Sequence, residues 1–296
     1  MEPPSMLYSQ LKATELVFLL AGPNVIESEE YIMKLAKHIK TITSGYDILT
    51  SSRVCATFRV GIPLVFKSSF VKANRTSSKS FGGLGMVEVL KILEKVKVAY
   101  DLPIVIDVHD SIQKLYKYYI GRIVDIIQIT AFLCRQTDLL VVAAKTGKIV
   151  HIKKGQFCAP SMGILSCYVM ANSAEKVRLA GNPNVMVCER GTMFGYNDFI
   201  VDPRNLEWMR EANCPIVSQY LFYYMFLFKM NYLNLSMLSY SMEGYNMLGR
   251  KLDGGGVASG GLRELIPCIV RAAVAIGVDG IFMEPFLIAC SWDCSE

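Results

Sequence analysis

The order of apolar runs and helical patterns in this 296-residue chain predicts an α/β fold, a (β/α)8 barrel of the TIM type. Three observations carry the prediction. Eight short runs rich in β-branched residues alternate with helix-like stretches. The runs are continuously apolar, as strands buried on both faces must be. Polar residues gather at the C-terminal ends of the runs, the face on which barrel enzymes carry their sites.

The strands are expected at Val17 to Asn24, Pro63 to Phe70, Pro103 to His109, Asp125 to Ile129, Lys148 to Lys154, Asn184 to Gly191, Pro215 to Val217 and Gly280 to Glu284. Between them, Glu29 to Ile42, Met86 to Tyr100, Gln136 to Thr146, Pro203 to Ala212 and Leu262 to Ile276 repeat apolar residues at helical spacing. Eight such units suit a closed barrel better than an open doubly wound sheet. Residues 1–296 therefore read as a single aldolase-type barrel domain. Segments at about 45–59, 163–168, 218–249 and 285–296 break the pattern abruptly and read as foreign to it.

Composition excludes several classes. A hydrophobic content of 52% is ample for a closed core and argues against disorder. The net charge of +5 has no long Lys/Arg run of the kind that tracks a nucleic-acid backbone, so the acidic partners expected are small phosphates or carboxylates. Nine scattered cysteines with no C-x-x-C pair indicate a reduced, cytoplasmic chain with neither a disulfide scaffold nor a zinc module. Three histidines, His38, His109 and His151, are too few for a His-rich metal site. Leu16 to Ala21 is too short for a signal sequence, and Tyr220 to Phe228 falls short of the roughly 20 apolar residues of a membrane span.

The strongest chemical signal is Lys67 to Ser80, where cations and hydroxyls come directly after the apolar run Ile62 to Phe66. Lys67 and Ser69 share one face of the strand end, with Lys72, Asn74 and Arg75 in the loop beyond. Together with Arg135, Lys153, Lys154 and Arg190 these cations are expected to converge on one mouth and to hold two anionic groups. The competing reading is that several of them neutralise Asp107, Asp125, Glu189 and Asp198. Asn24 closes the first strand with an amide that both donates and accepts, and Asp107 and His109 share one side of the third.

The runs Ala21 to Ser28, Phe66 to Ser77, Ile127 to Asp138, Ile152 to Phe157 and Cys188 to Asn197 resemble the 3-deoxy-8-phosphooctulonate synthase family in its plant form. The resemblance covers about four fifths of the chain. It implies a transferase, commonly a homotetramer, that condenses phosphoenolpyruvate with arabinose 5-phosphate and releases phosphate, a step towards the octulosonate of cell-wall polysaccharides. Carried over by position, Lys67, Ser69, Lys72, Lys153, Gln156, Arg190 and the backbone of Ala131 resemble the phosphoenolpyruvate site. Asn74, Arg75 and Thr76 resemble the pentose-phosphate site, with Phe132 and Arg135 of a neighbouring subunit closing it. Asn24, Lys72 and Glu284 stand where the catalytic groups are expected. Members that need a metal carry Cys at the position of Asn24, so the resemblance is to the metal-free class, with no cofactor. The related 3-deoxy-7-phosphoheptulonate synthases are disfavoured by Ala73-Asn74.

The chain also departs from the family pattern. After Val217 the family continues into a strand bearing a His, whereas here Ser218 to Gly249 is rich in Tyr, Leu, Phe and Met. After Glu284 the family's His-Asp loop and terminal helix are replaced by Pro285 to Glu296, so the barrel is expected to be incomplete at its C-terminal end. These departures predict severely impaired condensation, with a catalytically inactive relative that binds phosphates or co-assembles with active subunits as the alternative.

Overall fold

A computed structural model describes residues 3–15, 17–23, 25–44, 47–48, 58–59, 61–70, 83–109, 123–158, 168–193, 200–220 and 266–284. Asn24, Lys72, Asn74, Arg75 and Thr76 lie outside the described residues, as do most of the four foreign-looking segments.

Eight parallel strands close on themselves. They are β1 (Phe18–Ala21), β2 (Leu64–Ser68), β3 (Ile104–Val108), β4 (Ile126–Ile129), β5 (Ile149–Lys153), β6 (Val185–Glu189), β7 (Ile216–Tyr220) and β8 (Gly280–Met283). Each pairs with its successor, and β8 returns to β1 with Phe18 opposite Gly280. The sheet is thus complete, although residues 285–296 lie outside the described residues. Residues 47–48 and 58–59 form a separate short antiparallel pair.

Strand β7 runs three residues past Val217, into the segment that reads as foreign. Ser218, Gln219 and Tyr220 pair with Ile281, Phe282 and Met283, and Ser218 also pairs with Glu189. Ladder partners on both sides outweigh the weak strand preference of Ser and Gln.

The helices are α1 (Pro4–Lys12), α2 (Glu29–Thr43), α3 (Met86–Tyr100), α4 (Thr137–Ala144), α5 (Tyr168–Leu179), α6 (Pro203–Met209) and α7 (Ile266–Ile276). Local chemistry sets their starts. Ser28 caps α2 by accepting from the Tyr31 amide at 3.2 Å, and Glu29 and Glu30 complement its dipole. Asp202 caps α6 with Pro203 at its first position. Among the described residues no helix is long and apolar enough to cross a membrane.

Strand alternation divides the core in two. Outward-facing residues such as Phe66, Ile104, Ile106, Ile127, Ile152 and Val187 pack against Leu35, Leu90, Leu140 and Val177 of the helices. Inward-facing Phe18, Leu20, Val65, Val105, Ile126, Ile149, Met186, Cys188, Val217 and Phe282 form a second cluster, completed by Leu7 and Leu11 of α1. Helix α1 therefore plugs the barrel, held also by the Tyr8 hydroxyl, which donates to the Val185 carbonyl at 3.1 Å. Sequence reading left Met1 to Lys12 without a helix, because only Leu7 and Leu11 mark its apolar face. Helix α5 was equally unread, Asn172 and Ser173 interrupting its period.

Candidate active site

Two residues further along seven of the eight inward-facing rows, the barrel changes character. Val65 is succeeded by Lys67, Val105 by Asp107, Ile126 by Gln128, Ile149 by His151 and Lys153, Cys188 by Arg190, Val217 by Gln219, and Phe282 by Glu284. At about 3.3 Å per residue this is a step of only 6–7 Å. It places a polar layer directly on the apolar plug.

Lys67 is the centre of that layer, with 0% of its surface exposed. Its Nζ donates to the Glu284 carboxylate and lies 3.3 Å from Asp107 Oδ2. Asp107 Oδ1 is 3.7 Å from Lys153 Nζ and accepts from the Gln128 amide. Beneath both lysines lies the ring of Phe282, 5.3 Å from Lys67 Nζ and 4.3 Å from Lys153 Nζ. Gly22 allows this packing: a Cβ there would sit 1.9 Å from the Lys67 carbonyl oxygen, so only glycine lets the end of β1 lie against β2.

The two lysines differ electrostatically. Burial alone would depress Lys67, but Asp107 and Glu284 outweigh it and hold its ammonium above the ordinary lysine range. Burial pushes Lys153 down, Asp107 offsets this in part, and Lys67 pushes it down further. Lys153 is therefore the cation that an arriving anion would stabilise most. Below them His151 is fully buried and held neutral: burial first, then Lys153, lowers it to about 3. Neither of its ring nitrogens, nor the carbonyl oxygens of Gln128 and Gln219, has a hydrogen-bond partner among the described residues.

Higher on the mouth, Arg190 donates to Gln156 Oε1 at 3.3 Å. Ser69 is buried one strand step above Lys67, and Ala131 is buried in the short turn after β4. Phe132 and Arg135, from the same turn, stand exposed, and Phe132 lies 6.3 Å from Phe157.

Of the residues singled out from sequence, Lys67, Asp107, Lys153 and Glu284 are linked in one buried chain of contacts, which Gln128 joins by donating to Asp107. Lys154 departs from the expectation. It comes directly after Lys153 and so takes the opposite side, where its Nζ lies 3.4 Å from Glu189 and donates to the Gly191 carbonyl and the Thr192 hydroxyl at 3.1 Å. Glu189 in turn accepts from the amides of Arg190 and Gly191 at 3.0 and 2.6 Å. This pair braces the loop that carries Arg190. Asp125 is likewise structural: at the other end of β4 it pairs with Lys97 at 2.6 Å and accepts from the Ile104 amide. Sequence reading missed Gln219 as an inward-facing group because it ended the strand at Val217, and missed His151 as one because its neighbours are apolar. Among the described residues no group of three or more His, Cys, Asp and Glu is arranged to hold a metal.

The sequence is similar to known proteins along most of its length. The sequence pattern of the DAHP synthetase I family matches residues 13–218. The 2-dehydro-3-deoxyphosphooctonate aldolase of Pisum sativum is 66% identical over 284 residues, covering 96% of this chain and 83% of its own length. Aldolase 1 of that name from Arabidopsis thaliana is 65% identical over the same shares. The enzyme of the same name from Trichlorobacter lovleyi is 42% identical over 91% of this chain and 81% of its own. The chain belongs to the DAHP synthetase I family and, within it, to the 2-dehydro-3-deoxyphosphooctonate aldolases, the 3-deoxy-8-phosphooctulonate synthases.

Proposed function

We propose that this chain joins phosphoenolpyruvate to D-arabinose 5-phosphate, giving 3-deoxy-D-manno-octulosonate 8-phosphate and inorganic phosphate. One water is consumed: a carbon–carbon bond forms between the enol carbon and the aldehyde, and water replaces the phosphate. The observation that carries this reading is the buried Lys67–Asp107–Lys153–Glu284 cluster at the C-terminal mouth. Two cations there are balanced by two carboxylates, so an anionic substrate enters a site that is neutral and preorganised.

In this reading Lys67, Ser69, Lys153, Gln156, Arg190 and the Ala131 amide hold phosphoenolpyruvate, with Lys72 from the loop beyond. Asn74, Arg75 and Thr76 hold the pentose phosphate. Asn24 orients the aldehyde, and Glu284, fixed against Lys67, orients the attacking water. Exposed Phe132 and Arg135 support a homo-oligomer, a tetramer as in the family, in which they close a neighbouring site. The described cysteines are all free, which supports a reduced, cytosolic setting.

The test is release of phosphate from phosphoenolpyruvate with arabinose 5-phosphate, erythrose 4-phosphate or no aldehyde, each with and without a chelator. Phosphate release that requires arabinose 5-phosphate, yields the eight-carbon acid and ignores the chelator is expected. Faster turnover with erythrose 4-phosphate would move the chain to the heptulosonate reaction. Thermal stabilisation by phosphoenolpyruvate with no turnover would make it a binding relative.

A further inference from the structure

The charged groups at the mouth are matched among themselves, Lys67 with Asp107 and Glu284, and Lys153 with Asp107. Beside them stands a neutral amide. Gln219 lies two residues beyond Val217 of the inward-facing cluster, so it faces the interior from the C-terminal end of β7. On one side it is in register with Phe282, whose ring lies beneath both lysines. On the other, Ser218 pairs with Glu189, and the next residues along the two chains are Gln219 and Arg190. Gln219 is 9% exposed, and its carbonyl oxygen is buried with no hydrogen-bond partner among the described residues. Gln128 differs, because its amide already donates to Asp107.

We infer that Gln219 is a specificity-determining contact for the aldehyde substrate, an amide that holds the hydroxyl on the carbon next to the aldehyde. The chemistry of the two substrates decides between them. Phosphoenolpyruvate at neutral pH presents carboxylate and phosphate oxygens, which only accept, and the mouth meets these with the point charge of Lys153 and the fork of Arg190. A side-chain amide both donates and accepts, and the group that matches it in both senses is a hydroxyl. Arabinose 5-phosphate carries hydroxyls; phosphoenolpyruvate has none.

Position selects which hydroxyl. Gln219 belongs to the strand ends, in register with the aromatic ring under the two lysines, where the carbon–carbon bond is to form. The phosphate of the pentose is expected in the loop beyond β2, with Arg75. The end of the sugar that reaches the strand ends is therefore the aldehyde and the carbon beside it. This role rests on the function proposed above and adds the contact by which the site would tell a hydroxylated aldehyde from its deoxy analogue.

The experiment compares the wild-type chain with Gln219→Met, which keeps the length of the side chain and removes both polar ends. Each receives phosphoenolpyruvate with arabinose 5-phosphate or with 2-deoxyribose 5-phosphate, the same sugar phosphate without that hydroxyl, and phosphate release is followed. Expected is a roughly 10-fold fall in kcat/KM for arabinose 5-phosphate with little change for the deoxy sugar, so that the variant no longer separates the two. The melting temperature and its rise with phosphoenolpyruvate should match the wild type, since the substitution strands no partner. Where turnover is too slow to follow, calorimetric titration of the two sugars into chain saturated with phosphoenolpyruvate reads the same ratio. An equal loss with both sugars, or a weakened response to phosphoenolpyruvate, would make Gln219 structural and overturn the inference. So would a preference for arabinose 5-phosphate that survives in the variant or is missing from the wild type. A wild-type chain that responds to neither sugar overturns the function proposed above, and the contact falls with it.

Discussion

The lower and upper halves of the barrel interior are built by the same eight strands, yet they do opposite work. The lower half is apolar and closed by Leu7 and Leu11 of α1; the upper half packs lysines and carboxylates around Phe282. A single step along seven of the eight inward-facing rows separates them. The difference teaches that the dry floor sets the strength of the charges above it: it keeps water from reaching Lys67 and Asp107 from below, so their interaction is screened far less than at a surface.

The contrast breaks hardest at Lys67. Lys67→Met removes the central cation and leaves Asp107 and Glu284 facing each other, so kcat/KM is expected to fall by roughly 10³-fold or more and stability by about 3–5 kcal/mol. Steady-state kinetics and urea unfolding check both. A Lys67→Met chain that retained near-normal turnover would remove the cluster from the chemistry.

In the lower half, Leu11→Ala is expected to cost about 2–5 kcal/mol of stability with little change in kcat per folded molecule. Denaturant titration alongside active-site normalised rates separates the two effects. A large drop in kcat at full folding would show that the floor and the site are not separable.

Two arginines sharpen the comparison between mouth and periphery. Arg190→Ala is expected to weaken phosphoenolpyruvate binding roughly 10- to 100-fold, seen as a smaller ligand-induced rise in melting temperature. Arg210→Ala should leave that rise unchanged, because Arg210 pairs with Glu207 at 2.8 Å and caps the Ile276 carbonyl at 2.5 Å on the outer helices.

The effect that needs acid to appear sits at the boundary between the halves. His151 is held near pKa 3 in the folded chain against about 6.5 unfolded, so below pH 6.5 the unfolded chain binds a proton that the folded one refuses. Stability is therefore full above pH 6.5 and falls as the pH drops towards 3, with a slope approaching about one proton. His151→Asn should flatten that slope; an unchanged acid limb would assign it to other groups.

Most of the barrel is legible because continuous apolar runs admit few other arrangements. What escaped were elements whose signal is tertiary. Helix α1 shows two leucines among polar residues and is stabilised only by plugging a barrel built elsewhere in the chain. Gln219 enters the interior only because β6 and β8 extend β7 past Val217. In the site, Lys67 and Lys153 were readable from strand position, since parity decides which side they face. Lys154 was misjudged for the same reason in reverse: one residue on, it faces away and meets Glu189. The reading that cations pair with carboxylates holds for Lys67 as well, within the site itself.

The β8–β1 seam bears on how the molecule reaches its fold. Phe18 and Gly280 lie far apart in sequence, and a Cβ on Gly280 would sit 2.3 Å from the Phe18 ring, so the seam closes only on glycine. A growing chain emerging from the ribosome holds β1 and α1 for almost its whole synthesis before their last partner exists. Until then both edges of the sheet are open, and such long-range pairing is slow and prone to association. The step most exposed to chaperones and to misassembly is thus the late arrival of β8, and Gly280→Val should act there, lowering refolding yield more than any substitution of equal size on the outer helices.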